Sequence, residues 1–296
     1  MSKTKGIAYA ILSSATFGLI PLFAIPALNA GIGINSVLFY RFALSALLLG
    51  VVLLFKRYNL RISLRELGVL SLLGILYGST AILLTSSYQY IPSGIATTIH
   101  FLYPVIVTIT MILFFKEKVS LLLMAAIAMA VGGVYLLGGG ANQAIDHKGI
   151  ALVLVTVFTY AFYIVGVNKS IVSEMDGLKL TFYVLLVGSV VFGLNLLFRG
   201  EALQVKMSVD TALHLILLAL VPTVVSDFTL ILAVQNVGST TTAVLGCMEP
   251  LTALAVGVLV FKEEMTWLQG LGIFIVLLAV TIVILVNGKK SAQIKD

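Results

Sequence analysis

Charge is what this chain has least of: Asp, Glu, Lys and Arg make up 10% of its 296 residues, against roughly 25% in water-soluble domains. A soluble globule is excluded, because long uncharged runs have nowhere to hide on a wetted surface. There is one cysteine, Cys247, so no internal disulfide can form and no cysteine metal cluster is available. No Gly-rich phosphate loop of the P-loop kind is present, so the chain does not drive anything with ATP by itself. No stretch between apolar segments is long enough for a soluble domain. The net charge of +6 needs no nucleic acid, because loops facing anionic headgroups account for it.

What is abundant is hydrophobic residues, 60% of the total. With roughly 20 apolar residues needed per crossing, ten spans are predicted, at about 6–28, 35–55, 67–88, 94–115, 119–138, 149–170, 178–198, 211–236, 239–261 and 265–287. The first carries Lys3 and Lys5 ahead of it, like a signal peptide. It is too long for one, contains Pro21 and Pro26, and aligns with the internal sixth span, so it reads as a true crossing.

The chain also repeats itself. At an offset of 146, Ser93 meets Ser239, Pro104 meets Pro250, and Phe115-Lys116-Glu117 meets Phe261-Lys262-Glu263. At 143, Gly6-Ile7-Ala8 meets Gly149-Ile150-Ala151, and Phe39-Tyr40 meets Phe182-Tyr183. Two five-helix repeats follow, residues 1–145 and 146–296. Five is odd, so the second copy enters the membrane from the opposite side, and inverted repeats are a transporter signature. The expected fold is an all-α integral membrane protein of ten transmembrane helices in two inverted five-helix repeats.

Lysine and arginine crowd cytoplasmic loops. With the N-terminus inside, the inner segments hold thirteen (Lys3, Lys5, Lys56, Arg57, Arg61, Arg65, Lys116, Lys118, Lys169, Lys179, Lys289, Lys290 and Lys295) against four outside, Lys148, Arg199, Lys206 and Lys262. Both termini are expected in the cytoplasm of an inner (plasma) membrane protein. The Lys116-Glu117 and Lys262-Glu263 pairs read as solvated helix ends.

Four ionisable side chains fall within spans: Arg41, His100, Asp227 and Glu249. Each costs roughly 2.5–3.5 kcal/mol at a helix centre even on the lenient scale, so such residues face a bundle interior or water. By helical rise they form a ladder, with Arg41 and His100 about 9 Å below the outer surface, Glu249 at mid-membrane and Asp227 in the inner half. Glu249 precedes the repeat-matched Pro250, and broken helices near the midplane are where carriers bind solute. A carboxylate there can exchange a proton with either side, which proton coupling requires, or it can be a structural acceptor. Asp227, among Thr223, Ser226 and Thr229, is expected to line an inner vestibule or to bond neighbouring helices. Arg41 is expected to snorkel, cap a loop carbonyl or form an outer gate. His100 reads as a proton relay or, more commonly, as a packing histidine.

Five of six prolines lie inside spans, and kinks are expected at Pro104 and Pro250. A polar and aromatic set, Ser13, Ser14, Thr16, Tyr77, Ser79, Thr80, Tyr88, Tyr160 and Tyr163, fits a cavity for an amphiphilic metabolite or interhelical packing, with Tyr88 assignable to the interfacial aromatic belt. Gly132-Gly133 and Gly270-Leu271-Gly272 permit close helix approach, within the chain or in a homodimer.

Phe39-Tyr40-Arg41-Phe42, Tyr103-Pro104 followed by Phe115-Lys116-Glu117, and Glu249-Pro250 followed by Phe261-Lys262-Glu263 together resemble the ten-span EamA-type exporters of the drug/metabolite transporter superfamily. The resemblance covers essentially the whole chain. It implies alternating access around a cavity of the first, third, fourth, sixth, eighth and ninth spans, and export of amino acids or other small metabolites. It places Tyr77, His100, Tyr103, Tyr160, Asp227 and Glu249 along that cavity. Only Glu249-Pro250 matches a recurring family motif; the first copy has Tyr103-Pro104 there, so carboxylate chemistry is expected to be asymmetric between the halves.

The reading at this level is a secondary carrier exporting small metabolites, amino acids leading, with protons as the coupling partner and neither cofactor nor metal. Uptake on the same fold and a non-transporting membrane sensor or scaffold are the alternatives. An enzyme is not expected, because one histidine and two carboxylates at different depths do not converge.

Overall fold

A computed structural model describes residues 3–91, 93–138, 146–205, 207–260 and 266–292. Every regular element among these residues is helical: α1 (Lys3–Phe17), α2 (Ile20–Asn29), α3 (Ile34–Phe55), α4 (Leu64–Ser87), α5 (Ser93–His100), α6 (Tyr103–Phe115), α7 (Leu121–Gly138), α8 (His147–Lys169), α9 (Gly177–Arg199), α10 (Val209–Ala219), a π-helical turn (Leu220–Val225), α11 (Ser226–Leu245), α12 (Met248–Leu259) and α13 (Trp267–Ala292). The junction of the two repeats, Lys206, and the Phe261-Lys262-Glu263 motif lie outside the described residues.

Helix is the only option for most of this chain, because a segment in hydrocarbon must satisfy its backbone internally. Among the described residues, seven segments are long and apolar enough to cross a bilayer: Lys3–Asn29, Ile34–Phe55, Leu64–Ser87, Ala96–Phe115, His147–Lys169, Gly177–Arg199 and Val209–Leu245. Two shorter apolar helices, Leu121–Leu136 and Trp267–Val283, accompany them. The long Val209–Leu245 stretch is not one straight rod. Gly238, at φ 81 and ψ 165, is non-helical within α11, so the helix turns aside where the sequence predicts the gap between its eighth and ninth spans.

Polar side chains begin and end the helices where the apolar runs stop. Ser63 and Glu66 form a reciprocal capping box at α4, and Asp146, Asp176 and Ser208 accept backbone N–H bonds at the starts of α8, α9 and α10. The surface between these caps is apolar. Phe198 is 86% exposed and Phe114 76%, a disposition that water penalises and lipid tails do not.

Inside, α1 packs along α11, α3 along α9, α4 against α8 and α9, and α7 along α13. One glycine of each pair, Gly133 and Gly272, serves this last contact, while a Cβ on Gly132 or Gly270 would meet nothing within 4 Å. A Cβ on Gly133 would lie 3.1 Å from the Gly272 carbonyl, so close approach is used within the chain.

Three further breaks each stand beside a proline. Helices α1 and α2 part at Gly18-Leu19, with Pro21 opening α2. Helices α5 and α6 part at Phe101-Leu102, with Pro104 in the first turn of α6. Helices α11 and α12 part at Gly246-Cys247, before Glu249-Pro250. Pro222 sits in the π turn. Proline lacks the N–H that the first turn of a helix leaves unused, so it fits where a helix restarts.

Candidate functional site

Arg41 on α3 points into the bundle. It is 2% exposed, so the expectation that it snorkels or caps a loop is overturned: interior oxygens satisfy it better than the interface. Its Nε donates to Thr223 Oγ1 at 2.8 Å and its Nη2 donates to the Tyr77 hydroxyl at 3.1 Å. The rings of Phe17 and Phe42 flank the guanidinium, 5.7 and 5.6 Å from it. Thr223 can accept because its own proton goes to the Leu218 carbonyl five residues back, at 2.8 Å, a reach that belongs to the π turn. Such turns are rare and often lie at functional sites.

The Tyr77 hydroxyl passes the chain of bonds on, donating to Asp227 Oδ1 at 2.7 Å. Arg41 and Asp227 are therefore joined through one phenol rather than in a direct ion pair, and the ladder of depths collapses at these two residues. The inner vestibule expected beside Asp227 is not formed by its neighbours. Ser226 bonds Ser13 across to α1, and Thr229 bonds its own helix. Asp227 Oδ2 is buried without a partner.

Around this axis stand aromatic rings from four helices. Tyr77 stacks on Tyr163 at 5.0 Å, Tyr163 on Tyr160 at 6.0 Å, and Tyr160 meets Tyr103 edge-on at 4.7 Å. Phe17 stacks on Tyr160 at 6.1 Å. His100 lies 5.4 Å from Tyr103 and 5.2 Å from Tyr160. Its Nδ1 bonds Thr156 at 2.8 Å, while its Nε2 and the Tyr163 hydroxyl are buried without partners. Buried polar groups are bonded in the great majority of cases, so three bare ones around one set of rings ask for an explanation.

Glu249, 5% exposed, opens the first turn of α12. With Phe17, Gly18, Ile20, Pro21, Tyr88, Thr97 and Ala253 it lines a void of about 10 Å³, room for about one water. Arg41 lies within electrostatic reach of both Asp227 and Glu249, and Tyr160 lies within reach of both carboxylates as well. One cation thus lies within electrostatic reach of two acids.

Tyr88 was assignable to an interfacial belt; here it forms a wall. It lines the Glu249 void and also a cavity of about 420 Å³ between the α2–α3 loop and the α4–α5 loop, together with Asn29, Thr85, Gln89 and Ser93. A volume of this order suits a small metabolite.

The structure thus gathers Arg41, Tyr77 and Asp227 by direct bonds, His100, Tyr103 and Tyr160 by ring contact, and Glu249 at the Tyr103–Tyr160 side. Sequence reasoning undervalued Thr223, Thr156 and Phe17. Pro222 was the one visible signal for the π turn, and nothing in the sequence marks the other two. Among the described residues no three of His, Cys, Asp and Glu gather as a metal site would require.

An apolar-surfaced helical bundle with a buried cluster of polar and aromatic side chains beside a cavity is the build of a multi-pass membrane transporter. The chain belongs to the EamA-like transporter family, whose model matches it twice, over residues 4–139 and 147–285. No curated protein matches it. A solved structure titled "Crystal structure of protein" is similar with a TM-score of 0.81, over 97% of this chain and 99% of its own, at 12% identity. That likeness shows the fold.

Proposed function

We propose that this chain is a secondary carrier of the inner (plasma) membrane that exports small amphiphilic metabolites, amino acids the leading class, by alternating access coupled to protons. In this reading it crosses the membrane ten times in two inverted five-helix repeats, residues 1–145 and 146–296, with both termini in the cytoplasm. The thirteen-to-four distribution of basic residues supports that orientation. The observation that carries the function is the Arg41–Tyr77–Asp227 relay, with Asp227 Oδ2 bare beside a wall of tyrosines. A guanidinium and a carboxylate held one phenol apart match the two charges of a zwitterion, and the aromatic faces suit its apolar part.

Arg41 retains its gating role: release of its bond to Tyr77 is the step that exposes Asp227. Glu249 serves as the proton site. Its carboxylate has no hydrogen-bond partner among the described residues, and it sits at a helix break matched in the other repeat by Tyr103-Pro104. Tyr88 closes the way from Glu249 to the 420 Å³ cavity.

The test is efflux of a labelled amino-acid mixture from proteoliposomes with and without an imposed pH gradient, for the native chain and Glu249→Gln. Native flux is expected to rise with the gradient and the variant's to lose that rise. Gradient-driven flux that survives in Glu249→Gln would remove Glu249 from the coupling, and absence of flux in the native chain under every gradient would redirect the reading to another metabolite class.

A further inference from the structure

We propose that His100 is a specificity residue of the buried polar and aromatic cluster, a fixed hydrogen-bond acceptor that selects solutes carrying an N–H or O–H donor on their side chain. This rests on the carrier reading above and adds to it the chemistry of one end of the solute.

The Thr156 hydroxyl has one proton, and its 2.6 Å bond runs to the Val153 carbonyl, which can only accept. Placing that proton on the shorter contact leaves the 2.8 Å bond between Thr156 Oγ1 and His100 Nδ1 to be donated by the imidazole. A neutral imidazole with its proton on Nδ1 has a lone pair and no proton on Nε2. That Nε2 is buried and unpartnered on a residue 0% exposed.

Its setting supplies no donor. The nearest rings, Tyr103 and Tyr160, meet the imidazole tilted at 43° and 44°, with centroids more than 5 Å away. These rings continue through Tyr163 and Tyr77 to Asp227, so His100 and Asp227 stand at opposite ends of one aromatic wall. A bare buried acceptor is costly when nothing binds and discriminating when something does. A solute that brings a donor recovers the bond, and an isostere that brings another lone pair sets two acceptors against each other.

Three amino acids with side chains of equal heavy-atom count test this: 5-hydroxynorvaline offers a donor, norleucine offers neither donor nor acceptor, and O-methylhomoserine offers only an acceptor. Their dissociation constants are measured by calorimetry on the full chain in detergent. Native protein is expected to bind 5-hydroxynorvaline about tenfold or more tightly than O-methylhomoserine, and His100→Phe to bind all three within about twofold. Thr156→Val frees the ring to take the other tautomer and is expected to shrink or invert the preference. Nitrogen-15 NMR of labelled histidine reads the tautomer independently of any ligand, and the Nδ1–H form is expected in the native chain. Equal native affinities for the hydroxyl and ether solutes, or a proton found on Nε2, would overturn the proposal. Binding of none of the three fails the amino-acid reading itself and takes the proposal with it, an outcome distinct from binding without discrimination.

Discussion

A single phenol stands between a buried guanidinium and a buried carboxylate, and the consequences can be isolated one atom at a time. Tyr77→Phe removes the oxygen that accepts from Arg41 and donates to Asp227. Asp227 then loses its hydrogen-bond donor and Arg41 keeps only Thr223, in a medium that cannot replace the lost bonds, at a cost of about 1–3 kcal/mol for each bond. Thermal unfolding in detergent is expected to show that loss, and efflux to fall with it. Arg41→Met goes further, because stripping one side of a buried pair costs about 3–5 kcal/mol. The double variant Arg41→Met with Asp227→Asn is expected to be less destabilised than the two singles added together. Strict additivity would mean that Tyr77 does not couple them. Arg41, His100, Asp227 and Glu249 were legible in the sequence, because a charge within an apolar run is conspicuous on composition alone. Their partners were not: Arg41 and Tyr77 are 36 positions apart and Tyr77 and Asp227 are 150, and a position along a helix does not say which way its side chain turns.

Helix ends and breaks set where those side chains can be. Gly18, at the α1–α2 break, faces the backbone of α12 so closely that a Cβ would lie 2.4 Å from the Glu249 carbonyl oxygen and 2.9 Å from Thr252 Cβ. Backbone cannot step aside, so Gly18→Ala is expected to destabilise by about 1–3 kcal/mol and to widen the void at Glu249, read as a lower melting temperature and faster solvent exchange in the first turn of α12. At the other extreme is the exposed start of α4. The Glu66 carboxyl is held below its usual value of 4.5, first by its bond to the Ser63 backbone N–H and then by the Ser63 side chain. A lowered folded value means that the contribution is complete above the unfolded value and lost as pH falls through the folded one. Hydrogen exchange in the first turn of α4 is expected to speed up below about pH 4.5 in the native chain and to show no such step in Glu66→Gln. The prolines announced the breaks at Gly18-Leu19, Phe101-Leu102 and Gly246-Cys247 from sequence; Pro222 marked the π turn only as a kink, because one extra residue in a helical ring leaves no further compositional trace.

Across the whole molecule, two cavities approach each other at one side chain. Tyr88 lines both the 420 Å³ cavity and the small void at Glu249, so it is the wall between them. Cys247 is the only thiol in the chain and is buried, which makes a clean background of Cys247→Ala. In that background, Ala253→Cys at the Glu249 void is expected to react slowly with a polar thiol reagent, and at least about tenfold faster when Tyr88→Ala is added. Equal rates would place the barrier elsewhere. The reading does not depend on knowing the solute or the coupling ion.

Composition alone determined that this chain lives in a bilayer, and its internal repeat with the Glu249-Pro250 and Tyr103-Pro104 motifs was enough to point to the EamA-type family. Both follow from local properties: a run of apolar residues must become helix in lipid, and a repeat is visible wherever it is copied. Only the tertiary structure decided that Arg41 reaches Asp227 through Tyr77, that Thr156 bonds His100 Nδ1, and that Tyr88 lines both cavities. These depend on helix rotation and on breaks that bring distant segments together, and apolar helices of near-uniform hydropathy carry no pattern from which rotation can be read.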